Sequence, residues 1–184
     1  SIKITCYRLA KASKIVNALV NAVRNGKEVT VILELRARFD EEANLQWKSI
    51  LEDEGVKVLL GVPGLKVHAK LCIIKKREFN KTKHYGFIST GNFNESTAKF
   101  YGDHCLLTSR RNILADIRRI FSYLENPNHR IELLKACTVL PVAPYNMRKQ
   151  FVSLIEKETR AAKKKRAASI VIKLNSLVDK ELID

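Results

Sequence analysis

Short apolar runs alternate with segments of helical period along the first third of the chain. Ser1 to Tyr7 (S-I-K-I-T-C-Y) reads as a strand. Ser13 is placed to cap a helix whose apolar residues Ile15, Leu19, Ala22 and Val23 recur at helical spacing until Gly26 stops it. Val29 to Leu35 is almost continuously apolar, as a parallel strand covered on both faces would be. Acidic residues at Asp40 to Glu42 then open a second helix in the sense the helix dipole favours. Ala43, Trp47, Ile50 and Leu51 form its predicted buried face, and Gly55 ends it. Val56 to Leu60 is the next strand and Pro63-Gly64 a turn. This order predicts a β-α-β opening.

The middle and the end of the chain continue the pattern. Val67 to Ile74 reads as a buried strand, Lys75 to Lys83 as a solvated, mobile hairpin connection, and Tyr85 to Thr90 as the returning strand. Asp103 to Thr108 is a further strand. Asn112 to Leu124 is a strongly amphipathic helix with Ile113, Leu114, Ile117, Ile120, Phe121 and Leu124 inward. A short strand is expected within Leu133 to Val142. A long helix from about Asn146 to Arg166 is expected to be buried through Met147, Phe151, Leu154 and Ile155. A strand at Ser169 to Leu174 and the capped start of a helix at Asn175 to Asp179 complete the reading. The predicted class is α/β, a mixed, largely parallel sheet flanked by helices.

Composition narrows what such a fold can do. The chain has 184 residues with 46% apolar content, enough for one ordinary hydrophobic core. Its 34 Lys and Arg against 19 Asp and Glu give a formal charge of +15, which predicts attraction to a polyanion: nucleic acid, an acidic membrane surface or inorganic polyphosphate. No apolar stretch has the length that crosses a bilayer, and the N-terminal residues lack a signal-peptide pattern. Cys6, Cys72, Cys105 and Cys137 are widely spaced, with no C-x-x-C pair, and read as reduced core thiols. The expected location is the cytoplasm, with the basic surface able to hold the protein at the membrane periphery.

The chemistry concentrates between Gly61 and Tyr101. On a strand through V-H-A-K-L-C-I-I, Val67, Ala69, Leu71 and Ile73 share one face, while His68 and Lys70 project together from the other. A base and a cation are thereby delivered to one place. The Gly91-Asn92-Phe93-Asn94 turn follows the next strand and would bring backbone donors and the Asn92 and Asn94 amides to a strand end. Arg8 follows the first strand, and Arg36 and Arg38 follow the second. The collection suits an anion. Lys163-Lys164-Lys165-Arg166 is the densest basic run, read either as a solvated helix end or as a polyanion contact.

Several of these stretches together resemble one family. They are Tyr7-Arg8, E-L-R-A-R-F-D-E-E-A-N at Glu34 to Asn44, V-P-G-L-K-V-H-A-K at Val62 to Lys70, S-T-G-N-F-N-E-S-T-A-K-F-Y at Ser89 to Tyr101, and L-N-S-L-V-D at Leu174 to Asp179. The chain resembles polyphosphate kinases of the ATP-polyphosphate phosphotransferase type. The resemblance implies one half of a phospholipase D fold, with residues 1–174 as the first of two related C-terminal domains and 175–184 as the lead into the second. It implies that His68 is the nucleophile that becomes a phosphohistidine and that Lys70 assists it. Tyr101 falls on the family's ATP-contacting tyrosine, and Arg8 and Arg38 on arginines associated with phosphate and Mg²⁺. A guanidinium has donors only, so these arginines are expected to grip phosphate oxygens while Mg²⁺ bridges the same phosphates. The aspartate that phospholipases carry seven residues after the histidine is replaced by Lys75, which argues against a phosphodiesterase.

The activity implied is reversible transfer of the ATP γ-phosphate to inorganic polyphosphate through His68, with Mg²⁺ as cofactor and Asn92, Asn94 and Lys70 among the phosphate-binding groups. The implied partners are ATP or ADP, polyphosphate, the remaining domains of a longer parent enzyme, and further copies of that enzyme in a homo-oligomer. An isolated fragment is expected to be incomplete and weakly active or inactive. The rival readings are a basic nucleic-acid-binding module, which 7% aromatics spaced like core residues make a poor base-stacking platform, and a phospholipase D-type nuclease.

Overall fold

The computed structural model describes residues 1–35, 41–127 and 131–183. Its first compact unit, Ser1–Val139, is built on one six-stranded sheet in the order β3-β2-β1-β4-β5-β6. β1 (Ile2–Cys6), β2 (Val29–Leu33) and β3 (Lys57–Leu60) are parallel to one another. β4 (Lys70–Glu78) runs antiparallel to β1 and continues through β5 (Lys81–Ser89) to β6 (Cys105–Thr108), all antiparallel. The mixed sheet is as expected, with its parallel part confined to the opening β-α-β-α-β run.

Side-chain alternation sends Ile4 and Cys6 of β1 to one face. There, with Val29, Val31 and Leu33 of β2, they pack against α1 (Lys14–Arg24) and α2 (Glu41–Asp53) through Val16, Leu19, Val20 and Leu51. Both crossovers step in the same direction along the sheet, so both helices lie on the same side. The Ser13 hydroxyl accepts the Val16 N–H at 3.2 Å, and the Glu95 carboxylate accepts the Lys14 N–H at 2.7 Å. The start of α1 is thus closed by its own cap and by a residue of the distant Asn-rich turn. α2 buries Leu51 and Asn44, whereas Ile50, expected inward, is 44% exposed. The deep position on this helix belongs to an amide that holds backbone, described below.

α3 (Arg111–Glu125) covers the opposite face over β4 and β5, burying Ile113, Leu114, Ile117, Phe121 and Leu124 as its periodicity predicts. Its approach depends on Gly86. A Cβ there would lie 2.8 Å from Ile117 Cδ1 and 2.9 Å from Leu114 Cδ2. Asp116, fully buried on α3, accepts the N–H groups of Thr138 and Val139 and pairs with Arg119 at 2.6 Å.

Four expectations are corrected. Lys75 to Lys83 is not a hairpin connection. β4 and β5 pair through Lys75↔His84, Lys76↔Lys83, Arg77↔Thr82 and Glu78↔Lys81, and the turn is only Phe79-Asn80, both with positive φ. A two-residue turn of that geometry follows the strand twist, and Glu78 held by both Lys76 and Lys83 offsets charge that alone suggests a loop. The Leu133 to Val142 region starts with a helix, α4 (Ile131–Lys135), and forms no strand. Ser169 to Leu174 pairs with no strand among the described residues, and Val171 is 96% exposed. Cys105, expected in the core, is exposed on the edge strand, while Cys6 and Cys137 are buried.

The second unit, Leu140–Asp184, contains α5 (Met147–Lys163) and α6 (Lys180–Ile183). α5 has the expected amphipathic pattern but buries none of its residues, and Phe151 and Leu154 are exposed. The helix cap at the end of the chain is Asp179, whose carboxylate accepts the Leu182 N–H and also pairs with Arg148 at 2.8 Å.

Gly86→Ala forces overpacking between the sheet and α3 and is expected to lower stability by about 1–3 kcal/mol. A urea midpoint equal to wild type would show that α3 can yield at this contact.

Candidate functional site

The site forms where the carboxyl ends of β1, β2 and β5 meet the amino end of β4. Residues after β1 supply Tyr7 and Arg8, the end of β2 supplies Glu34, and the segment entering β4 supplies Lys66, His68 and Lys70. His68 is not part of a strand: β4 begins at Lys70, and the β1–β4 register ends at Ile4↔Cys72. Beyond that pair the buried Thr5 hydroxyl takes over, donating to Ala69 O at 2.6 Å and accepting the Leu71 N–H at 2.9 Å. The backbone groups flanking Lys70 are satisfied by a side chain, which lets the chain leave the ladder and turn His68 back over Lys70.

His68 and Lys70 do meet, but through the turn of the chain and not through strand alternation: Lys70 is buried while His68 and Ala69 are exposed. Lys70 is 4% exposed. Its Nζ donates to His68 O at 2.6 Å and lies 3.0 Å from Nδ1 and 3.1 Å from Nε2 of the imidazole. One atom equally close to both nitrogens cannot sit in the ring plane without colliding with the carbon between them. The ammonium therefore stands over the ring face, and the in-plane positions at both nitrogens are left for other partners.

Tyr7, 8% exposed, organises the cations. Its ring meets the His68 ring edge to face at 4.5 Å between centroids. Lys70 Nζ, Arg8 Cζ and Lys66 Nζ lie 5.1, 5.6 and 5.6 Å from its centroid. Three positive groups thus share one aromatic quadrupole beside the imidazole. A buried hydrogen-bond network fixes this ring and its neighbours. Asn44 Nδ2 donates to Tyr7 O and to Glu34 O at 3.0 Å each, and the buried Glu34 carboxylate accepts the Val67 N–H at 2.9 Å.

Electrostatics follows from this crowding. His68 is held below the ordinary histidine value, first by burial and then by Lys70, Lys66 and Arg8. Lys70 is pushed down to about 8 by burial, with Arg8 acting in the same direction and Asp103 opposing. Asp103 is fixed by the Thr90 hydroxyl, which donates to it at 3.0 Å. It also packs so closely on Gly91 that a Cβ there would come within 2.3 Å of its carboxylate. Glycine at position 91 is therefore a steric requirement.

The remaining expected residues are placed differently. Asn94 is buried, and its Oδ1 accepts the N–H groups of Ser96 and Thr97, so it caps the short 3₁₀ turn Thr97–Lys99. Phe93 packs on the core, 5.0 Å from the Phe87 ring. Asn92 Oδ1 is buried with no hydrogen-bond partner among the described residues. Tyr101 is 62% exposed and makes no ring contact with the His68 group among the described residues. Arg38 and Arg36 lie outside the described residues. Thr5, Tyr7, Glu34, Asn44 and Asp103 were not singled out from sequence as site residues. Tyr7-Arg8 and Glu34 to Asn44 did stand out as motifs, and that was the available signal.

Comparison with known proteins agrees with this architecture. The profile of "Polyphosphate kinase C-terminal domain 1" matches residues 1–130, and that of "Polyphosphate kinase C-terminal domain 2" matches residues 140–184. The polyphosphate kinase of Vibrio cholerae is 48% identical over 184 residues, all of this chain and 26% of that protein. The polyphosphate kinase of Escherichia coli K12 is 44% identical over 184 residues, with the same coverage. The crystal structure of the polyphosphate kinase from Porphyromonas gingivalis superposes with a TM-score of 0.77 and 37% identity, over 99% of this chain and 30% of that one. The chain thus spans about a quarter of the length of the curated relatives it matches. Matched over its whole length in sequence and nearly so in structure, this chain belongs to the polyphosphate kinase family.

Proposed function

We propose that the Ser1–Val139 unit carries the phosphoryl-accepting nucleophile of a polyphosphate kinase, and that His68 transfers the γ-phosphate of ATP reversibly to inorganic polyphosphate. The observation that supports this most directly is an exposed imidazole with the buried Lys70 over its face and its in-plane nitrogens open. In the first step a ring-nitrogen lone pair forms an N–P bond as the bond from the γ-phosphorus to the bridging oxygen of ATP breaks, and ADP leaves. In the second, a terminal oxygen of polyphosphate attacks the phosphohistidine and the N–P bond breaks. Phosphoryl transfer asks the protein mainly for alignment and dispersed positive charge. Lys70, Lys66 and Arg8, grouped on Tyr7, offer that charge beside the nucleophile.

The cations around His68 lower the cost of gathering phosphates there and keep the imidazole neutral. Asn92 offers a further polar group at the Gly91 turn, and we read Arg38 and Tyr101 as additional phosphate and nucleotide contacts. Asn94 caps the 3₁₀ turn through its oxygen, and we read its Nδ2 amide as a phosphate donor. No group of three His, Cys, Asp or Glu among the described residues forms a metal site. Mg²⁺, when present, would enter on the phosphates and neutralise part of their charge, with most of its remaining ligands water. No described helix is long and apolar enough to cross a membrane. Residues 140–184, which match the second C-terminal domain, are read as its beginning rather than only 175–184 as a lead into it, and the rest of that domain would complete the site in a parent enzyme that assembles as a homo-oligomer.

The pH dependence has a definite sign. Lys70 holds its proton less tightly folded than unfolded. From about pH 8 up to the ordinary lysine range the unfolded chain binds more protons, and this group's contribution to stability rises with pH. Activity should move the other way, because the cation is lost. In the parent enzyme kcat/KM is expected to fall above about pH 8, and the acid limb should lie below the ordinary histidine value. Lys70→Arg should lower the plateau and flatten the alkaline limb, since guanidinium stays charged. An alkaline limb unchanged in that variant would remove Lys70 from the assignment.

Tyr7 is a positioning residue for His68. Tyr7→Leu should slow phosphorylation of His68 by about 10²-fold with a smaller change in KM for ATP, whereas Tyr7→Phe, which keeps the ring, should stay close to wild type. Equal losses in the two variants would mean that the hydroxyl matters and the ring contacts do not.

A further inference from the structure

A cleft of about 480 Å³ opens between β5 and the first two turns of α3, away from His68. β5 extends past the end of β6, whose last register pair is Thr108↔Gly86, so among the described residues the Lys81 to Tyr85 part of β5 has no strand neighbour on that side. Ser109 and α3 border the gap. The titratable groups lining it are Lys83, His84, Tyr85, Arg111 and Arg118, and none of the described lining residues is a carboxylate. Lys75 joins them from β4 as the register partner of His84.

Charge balance here is one-sided. Glu78 is divided between Lys76 and Lys83, and Glu125, at the far end of α3, is held by Lys3 at 2.7 Å. Among the described residues Lys75, Arg111 and Arg118 have no ion-pair partner. His84 feels this directly, being held below its ordinary value first by burial and then by Arg118 and Lys75. A cleft lined by one sign of charge concentrates counter-ions of the other.

The layout selects for a linear ligand. Arg111 and Arg118 are seven residues apart on one helix face, about 10 Å along the axis, which exceeds the span of one phosphate group. His84 and its register partner Lys75 face them from the sheet, while Lys83 beside His84 leaves the other face and pairs with Glu78. Nucleic acid would fill the same array with its backbone, but single-strand binding relies on successive aromatic platforms, and Tyr85 is the one aromatic residue among those lining the cleft. We propose that this cleft is a second binding site for a linear condensed phosphate, separate from the His68 site. The choice of ligand rests on the proposed function; the cation array does not.

The two sites are set apart by β5 itself. His84 is five residues from Ser89, the register partner of Lys70, a separation of roughly 17 Å along the strand. The side chains of His84 and Lys70 also leave the sheet on opposite faces. A long polymer held in the cleft stays with the enzyme while its end is released from His68, so the cleft retains long chains between transfers.

The test uses the full-length parent enzyme with long-chain inorganic polyphosphate as probe. In a His68→Ala background, polyphosphate should protect His84 from diethyl pyrocarbonate, mapped by peptide mass. Arg111→Gln with Arg118→Gln should abolish that protection and raise the Kd for polyphosphate about tenfold at low salt. In otherwise wild-type enzyme the same pair should leave the KM for ATP unchanged, which reports an intact fold. His84 left fully reactive at saturating polyphosphate would overturn the proposal, as would protection by RNA that polyphosphate cannot compete away. Protection of His84, together with no phosphate on His68 when the otherwise wild-type enzyme is given ATP, would sustain the cleft while removing the proposed reaction.

Discussion

An ammonium group withdrawn from water at the first residue of β4 constrains everything around it. Lys70 cannot be buried at this position unless its charge is met, and the structure meets it with the His68 carbonyl, the face of the Tyr7 ring and the field of Asp103. Each of these has a further cost in the fold. The carbonyl is available only because Thr5 replaces the ladder and lets the chain fold back. The Tyr7 ring is fixed because Asn44 holds its backbone. Asp103 is close because residue 91 has no side chain. The imidazole of His68 lies where these requirements converge.

The same arrangement explains why a base can remain neutral among cations. Burial and neighbouring positive charge both disfavour the imidazolium, so the two causes that depress His68 act together. The cations that would repel a proton attract phosphate. A nucleophile for phosphoryl transfer needs that combination, and the Tyr7 ring gathers three long basic side chains beside it. Carboxylates at those places would neutralise the charge the substrate needs.

Much of this was legible in the sequence because local rules governed it. The continuous apolar run of β2, the cap at Ser13 and the amphipathic period of α3 each depend on neighbours in the chain. The parts that were not legible depend on tertiary partners. Thr5 looks like any strand threonine until the register ends beside it, and Asn44 looks like a surface residue of α2 until two carbonyls are found on its amide. Asn94 drew attention as a phosphate donor because it follows a glycine turn; what the sequence hid is that its oxygen also caps the 3₁₀ turn Thr97–Lys99. The charged run Lys75 to Lys83 concealed two paired strands because Glu78 and the Phe79-Asn80 turn outweigh its loop-like composition. The exposed apolar residues of α5 follow a helical period that this chain does not cover.

The most direct measurement is of His68 itself. Incubating the full-length parent enzyme with ATP and Mg²⁺ and mapping acid-labile phosphate by peptide mass should find it on the peptide that contains His68, discharged on addition of ADP or polyphosphate. An enzyme that elongates polyphosphate at full rate while that peptide stays unmodified, or does so as His68→Ala, would contradict the central claim.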